Sequence, residues 1–217
     1  MFLVEMFQRK TTMPTAEEAL AGRPDPIETA GSHFVNGRPL RPPFPDGMLT
    51  ACFAMGRFSA AERLFWPLDG IHVTAAGYAG GFTPNPTYQE VLTHLTGHAQ
   101  AVMVVYDPIR VNYRDLLALF FEHHDPTQSM RQGNDIGTVF RSAIFATGAD
   151  QMQDAATARD LYQDALARAG HSGRIVTEIA PLAAFYLAEA NHQQHAARKP
   201  GEQAALKGTG VAFPRAA

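Results

Sequence analysis

From Leu49 onward, short apolar runs alternate with amphipathic stretches, and that alternation predicts the elements. Leu49 to Met55 is a continuous apolar run closed by Gly56, as expected of a buried strand entering a tight turn. Phe58 to Leu68 follows with Ala61, Leu64, Phe65 and Leu68 on one helical face and Pro67 near its end, and Ile71 to Tyr78 reads as a second strand. Strand, helix and strand within about thirty residues make the length of one βαβ unit. The pattern recurs as a strand over Ala99 to Tyr106, a helix over Tyr113 to His124 and a strand over Ser142 to Ala146. In that second helix Tyr113, Leu116, Leu117, Phe120 and Phe121 fall at i, i+3, i+4, i+7 and i+8, with Asn112 and Asp115 spaced as a cap. A third helix is predicted from Asp150 to Ala169, announced by Thr147-Gly148-Ala149-Asp150 in capping-box spacing and closed by Gly170. A strand over Ile175 to Ile179 and a short helix over Ala190 to Arg198 complete the series. The expected fold is α/β, a two-layer α+β sandwich with a ferredoxin-like core of two βαβ units, a mixed sheet and an extended N-terminal arm.

Residues 1–48 differ in composition from the rest. Pro24, Pro26, Pro39, Pro42, Pro43 and Pro45 forbid long helices and central strands there, and only Thr15 to Leu20 is predicted to be briefly helical. The expected organisation is an arm over 1–48 packed on a body over 49–199, with a tail over 200–217. A chain of 217 residues, 46% hydrophobic, buries roughly 70% of its unfolded surface, enough for one core without metal or disulfide support; a monomer is expected. A formal net charge of -3 and the lack of any Lys/Arg cluster of five or more argue against nucleic acid. No apolar stretch approaches the ~20 residues of a membrane helix, and Glu5 interrupts the opening Met1-Phe2-Leu3-Val4, so neither a membrane nor a secretory signal is expected. With Cys52 the only cysteine, no internal disulfide or cysteine-based zinc site forms, and a reducing, cytoplasmic location is expected.

Candidate chemistry sits in the loops. A strand, a glycine and a helix start at position 57 form a junction where nucleophiles often sit, yet Arg57 opposes the helix dipole there. It reads either as a solvated surface arginine or as an anion-holding group in a pocket. Gly80-Gly81 lacks the spacing and the Lys-Ser/Thr of a phosphate loop and reads as a tight loop. His123 and His124 diverge by about 100 degrees on their helix and sit where cations favour a helix end. His192 and His195 share a face, but no third or fourth ligand is apparent, so no metal is expected.

Phe53-Ala54-Met55-Gly56, Thr83-Pro84-Asn85-Pro86-Thr87-Tyr88, Thr96-Gly97-His98-Ala99 and Gly133-Asn134-Asp135-Ile136-Gly137-Thr138, in this order and at these intervals, resemble the A-class peptide methionine-S-sulfoxide reductases. The resemblance runs from about Pro45 to His192-Gln193-Gln194 and identifies 49–199 as that family's catalytic fold. It implies reduction of methionine sulfoxide in peptides, with no bound cofactor and thioredoxin or dithiothreitol as reductant. The family's Gly-Cys-Phe-Trp, whose cysteine attacks the sulfoxide sulfur, reads Gly56-Arg57-Phe58-Ser59 here. Gln100 stands where the family has its proton-donating glutamate, and Phe140 stands where it has a second tyrosine. Phe58, Tyr88 and Asp135 match the pocket, so the implied substrate-binding set is Phe58, Tyr88, Asp135 and Phe140.

These departures predict a catalytically impaired member, binding a sulfoxide or another small polar ligand. The alternatives are a reductase using a non-standard group, and a non-enzymatic binding or interaction module. Cys52 lies five residues before Arg57, about 16 Å along a strand and on its opposite side, so it reads as a small buried hydrophobe and not as a replacement nucleophile.

Overall fold

A computed structural model of the chain describes residues 10–202 and 206–215. Met1 to Glu5, read above for a signal, lie outside the described residues. Strand β1 (Leu49–Met55) is buried from Ala51 to Met55 on both faces, which is why its sequence is a continuous apolar run. Helix α1 (Phe58–Phe65) follows and stops three residues short of the predicted Leu68. Trp66 is still helical in its backbone angles and caps the end, but Pro67 has no amide hydrogen with which to continue the ladder. Then come β2 (Ile71–Ala79), α2 (Tyr88–Leu92), β3 (Ala99–Tyr106), α3 (Tyr113–His123), a two-residue hairpin pair β4 (Arg131–Gln132) and β5 (Asp135–Ile136), and a 3-10 turn over Thr138–Phe140. Strand β6 (Ser142–Ala146), helix α4 (Ala149–Arg168), strands β7 (Glu178–Pro181) and β8 (Phe185–Leu187), and α5 (His195–Arg198) complete the series.

Six strands form one mixed sheet in the order β7-β6-β1-β3-β2-β8. Strand β3 is antiparallel to both β1 and β2, and β6 is antiparallel to β1 and parallel to β7. The two predicted βαβ units are therefore both split. Strand β3 lies between β1 and β2, and β1 lies between β3 and β6. The central order β6-β1-β3-β2 is the ferredoxin-like arrangement the periodicity predicts.

Helices cover one face of the sheet, where Phe53 stacks on Phe65 at 5.3 Å and meets Phe120 at 5.6 Å. Leu116, Leu117 and Tyr162 close over the same face. The other face carries small residues (Ala54, Ala79, Ala99, Ala101) around Cys52 and Phe145, and further along Val73, Ala75 and Val105 under Leu40. Segment 10–48 reaches that side: Leu20 donates to Leu95 O at 3.0 Å, Thr29 Oγ1 to Ala188 O at 2.5 Å, and Leu40 is fully buried. Each large apolar side chain so buried contributes about 2 to 3 kcal/mol.

Several expectations shift. The cap of α3 is as predicted, with Asn112 Oδ1 accepting from the Asp115 amide at 2.9 Å. The one predicted for α4 is not. Gly148 is its N-cap without a side-chain bond, and the Thr147 hydroxyl instead donates to Thr50 O at the start of β1. The predicted strand over Ile175 to Ile179 begins only at Glu178, because the amides of Ile175 and Val176 are donated to Gln163 Oε1 and Pro126 O, away from the sheet. The helix predicted from Ala190 starts at His195, since Gln194 sits in the left-handed region at φ 47. Thr15 to Leu20 forms turns, with Glu18 folded back on the Thr15 amide. Helix α2 was missed although Thr87 and Glu90 form a complete capping box. In the tail, Tyr162 Oη donates to Val211 O at 2.9 Å and Phe213 packs on Phe121. Among the described residues, no helix is long and apolar enough to cross a membrane.

Candidate functional site

Strand β1 ends at Gly56, whose φ of +89 only glycine adopts freely and whose missing side chain leaves room for Gln132. The turn puts Arg57 at the N-cap of α1, with no side-chain cap bond. Its guanidinium reaches across to the β4–β5 hairpin instead. Nε donates to Asp135 Oδ2 at 2.7 Å and Nη2 to Asp135 Oδ1 at 2.6 Å, a bidentate pair. The Arg57 side chain is 47% exposed, so the pair stabilises the hairpin by no more than about 1 kcal/mol. Donating hydrogen bonds to Asp135 holds the guanidinium above its ordinary pKa despite partial burial, and its Cζ lies 5.8 Å from the Phe140 ring centre. Both readings of Arg57 are thus half met: it is solvated, and the anion it holds is the protein's own.

Behind Arg57, Gln100 on β3 is 1% exposed. Its Oε1 accepts from the Phe58 amide at 3.2 Å, which orients the group, while Nε2 is buried without a protein partner. Phe58 lies over Tyr88 at 6.2 Å and His192 at 5.4 Å, and Tyr88 packs on His192 at 4.2 Å. Arg57, Phe58, Ser59, Tyr88, Gln100, His192 and His195 line an open cavity of about 110 Å³. Asp135 and Phe140 join it only through Arg57. Sequence reasoning weighed His192 and His195 as metal ligands and missed them as cavity walls. Burial lowers the His192 pKa, so the ring that packs on Tyr88 is neutral at neutral pH. Among the described residues, no group of three or more His, Cys, Asp or Glu side chains is placed to hold a metal.

Two carboxylates organise the walls, Glu189 half-buried and Glu62 fully buried, and neither was anticipated. Glu189 accepts from Tyr78 Oη at 2.8 Å and from the Tyr88 amide at 2.7 Å, pinning the start of α2. Glu62, fully buried on α1, accepts from Thr74 Oγ1 at 3.0 Å, the Gln194 amide at 2.9 Å and Gln194 Nε2 at 2.7 Å. Gln194 Oε1 in turn accepts from the Phe34 amide, and His33 bonds Thr74, so the arm, α1, β2 and the 192–195 wall share one network. The left-handed Gln194 and the length of chain between the partners hid it from local pattern.

Elsewhere His124 and His98 are structural. His124 is not a cation at a helix end: Nδ1 donates to Phe120 O at 2.6 Å, Nε2 meets Ser142 Oγ at 2.7 Å, and burial pushes its pKa down to about 4. Gly80-Gly81 is a tight loop in which the Gly81 amide donates to His98 Nδ1 at 3.1 Å. Cys52 is fully buried in mid-strand among Ala54, Ala79 and Ala101, on the sheet face opposite Phe58, and burial pushes its thiol pKa up.

Fold and site together define an α/β sandwich of split βαβ units whose site is assembled where the first strand turns into the first helix. Residues 49–211 match the family model described as peptide methionine sulfoxide reductase. The chain belongs to that family. It is 56% identical to the peptide methionine sulfoxide reductase MsrA of Agrobacterium fabrum over 211 residues, 97% of this chain and 98% of the relative. It is 54% identical to MsrA 1 of Rhizobium meliloti over 214 residues, 99% of each. Among solved structures, methionine sulfoxide reductase A of Corynebacterium diphtheriae superposes with a TM-score of 0.83 at 41% identity, covering 94% of this chain and all of that one.

Proposed function

We propose that this chain keeps the methionine-sulfoxide pocket of its family as a binding site and no longer carries out the family's thiol chemistry. The observation that carries the reading is that position 57, which opens the helix after Gly56, presents a guanidinium bonded to Asp135, while the chain's only thiol is buried in β1. A guanidinium stays protonated and has no lone pair with which to attack sulfur. A thiol acts as a nucleophile only as thiolate, and burial opposes that form at Cys52. The Gln100 amide donates a hydrogen bond without transferring its proton, and Phe140 supplies no hydroxyl. Removing a covalent nucleophile costs about 10⁶-fold in comparable systems, and losing a general acid costs about 10²- to 10⁴-fold, so the first loss alone removes useful turnover.

On this reading Phe58, Tyr88, Asp135 and Phe140 remain as recognition groups, directly or through Arg57. Residues 49–199 form the binding domain under the described arm of 10–48, and the tail over 200–217 carries no resolving cysteine. Thioredoxin or dithiothreitol has no disulfide to reduce here. A monomer in the cytoplasm suits a chain with a lone unpaired thiol.

The test is turnover of methionine-S-sulfoxide with dithiothreitol. Wild-type protein should be inactive. The combined substitution Arg57→Cys, Ser59→Trp, Gln100→Glu and Phe140→Tyr should restore turnover. Wild-type activity that disappears in Cys52→Ala would overturn the reading.

A further inference from the structure

We propose that the cavity accepts a neutral dialkyl sulfone, the doubly oxidised methionine side chain, at least as well as the sulfoxide. This rests on the binding reading above and names the ligand class. The argument is a count of donors. Gln100 lines the cavity with its Oε1 already committed to the Phe58 amide, so Nε2 is a buried donor lacking an acceptor. Such a donor costs stability until a ligand oxygen meets it. Arg57, which lines the same cavity, gives Nε and Nη2 to Asp135 and keeps the hydrogens of Nη1 uncommitted to any protein group among the described residues. One oxygen satisfies Gln100, and a second satisfies Arg57.

Charge selects the class further. Asp135 neutralises Arg57 through two short bonds, so the pair offers hydrogen bonds without net charge, which favours a neutral oxygen pair over a sulfonate or carboxylate. The remaining wall is aromatic, with Phe58 beside the Tyr88–His192 stack, and suits an S-methyl group. At about 110 Å³ the space is several times the ~10 to 15 Å³ that a single water needs, which leaves room for the four heavy atoms of a methylsulfonyl group. Bonding the second oxygen requires a donor at position 57, and Arg57 is one.

Calorimetric titrations of the full chain at two temperatures test this, using N-acetyl methylamides of methionine sulfone, methionine-S-sulfoxide and methionine. The sulfone should bind with a Kd equal to or lower than that of the sulfoxide, and the thioether at least tenfold more weakly. Gln100→Leu should weaken both oxides about tenfold, about 1.4 kcal/mol. Arg57→Met, at a half-exposed position that folding tolerates, should weaken the sulfone at least tenfold more than it weakens the sulfoxide. A sulfone tenfold weaker than the sulfoxide would overturn the inference while leaving binding without turnover in place, as would an Arg57→Met variant with the preference intact. Reduction of the sulfoxide in the same samples would overturn the underlying reading. Failure of a folded protein to bind either oxide would remove both.

Discussion

Glu62 tests the physical account of the fold because two opposing effects meet at one carboxyl. Three donors, from Thr74 Oγ1, the Gln194 amide and Gln194 Nε2, favour its ionised form, while complete burial favours the protonated one. Burial is the larger effect and pushes the carboxyl up to about 7 from an ordinary 4.5. The folded state then holds this proton more tightly than the unfolded chain. The group's contribution to stability is fully present below about pH 4.5 and is lost as pH rises through about 7. A difference of about 2.5 units (7 less 4.5) at ~1.4 kcal/mol per unit gives roughly 3 kcal/mol. His33 and His124 act with opposite sign: both are pushed down to about 4, so their contributions are lost as pH falls below 6.5 through 4. The wild-type profile alone therefore mixes the effects, and the difference from Glu62→Gln isolates one of them. In urea unfolding from pH 4.5 to 8, the stability of wild type relative to Glu62→Gln should fall by roughly 3 kcal/mol. Parallel profiles would show that the three donors cancel burial, and a relative stability that grows with pH would show that they outweigh it; either would refute the reasoning.

Three further substitutions follow from the packing. A Cβ at Gly81 would lie within 3.0 Å of the His98 amide nitrogen, Thr96 O and the Gly97 carbonyl carbon, so Gly81→Ala should cost about 2 to 3 kcal/mol in urea unfolding; a cost below 0.5 kcal/mol would contradict the tight-loop reading. Phe53→Ala removes the ring shared by Phe65, Tyr113 and Phe120 and should cost about 3 to 5 kcal/mol. Tyr162→Phe loses the bonds to Thr209 and Val211 O, should cost about 1 to 2 kcal/mol, and should speed proteolytic cleavage around residue 210; an unchanged cleavage rate would mean that Phe213 packing alone holds the tail.

What the sequence determined by itself was local. The apolar run of β1, the i, i+3, i+4 face of α3 and the Asn112 cap depend on residues within a turn or two of each other, and each appears where periodicity puts it. The motifs that mark the family are likewise contiguous stretches. Position 57 stands out in the sequence alone, because a cation at a helix start opposes the dipole.

Only the tertiary structure decided which distant groups meet. Strand β3 goes between β1 and β2 because both of its faces and both of its edges find partners there, a choice no single strand encodes. Arg57 pairs with Asp135 across 78 positions, and Glu62 takes its donors from Gln194 across 132. Thr147 leaves its helix to bond Thr50, and the backbone of Ile175 serves α4 before it can join the sheet. The titration of His124 and Glu62 follows the same rule. Their residue types were visible in the sequence, but burial sets the charge, and burial is a property of the assembled core.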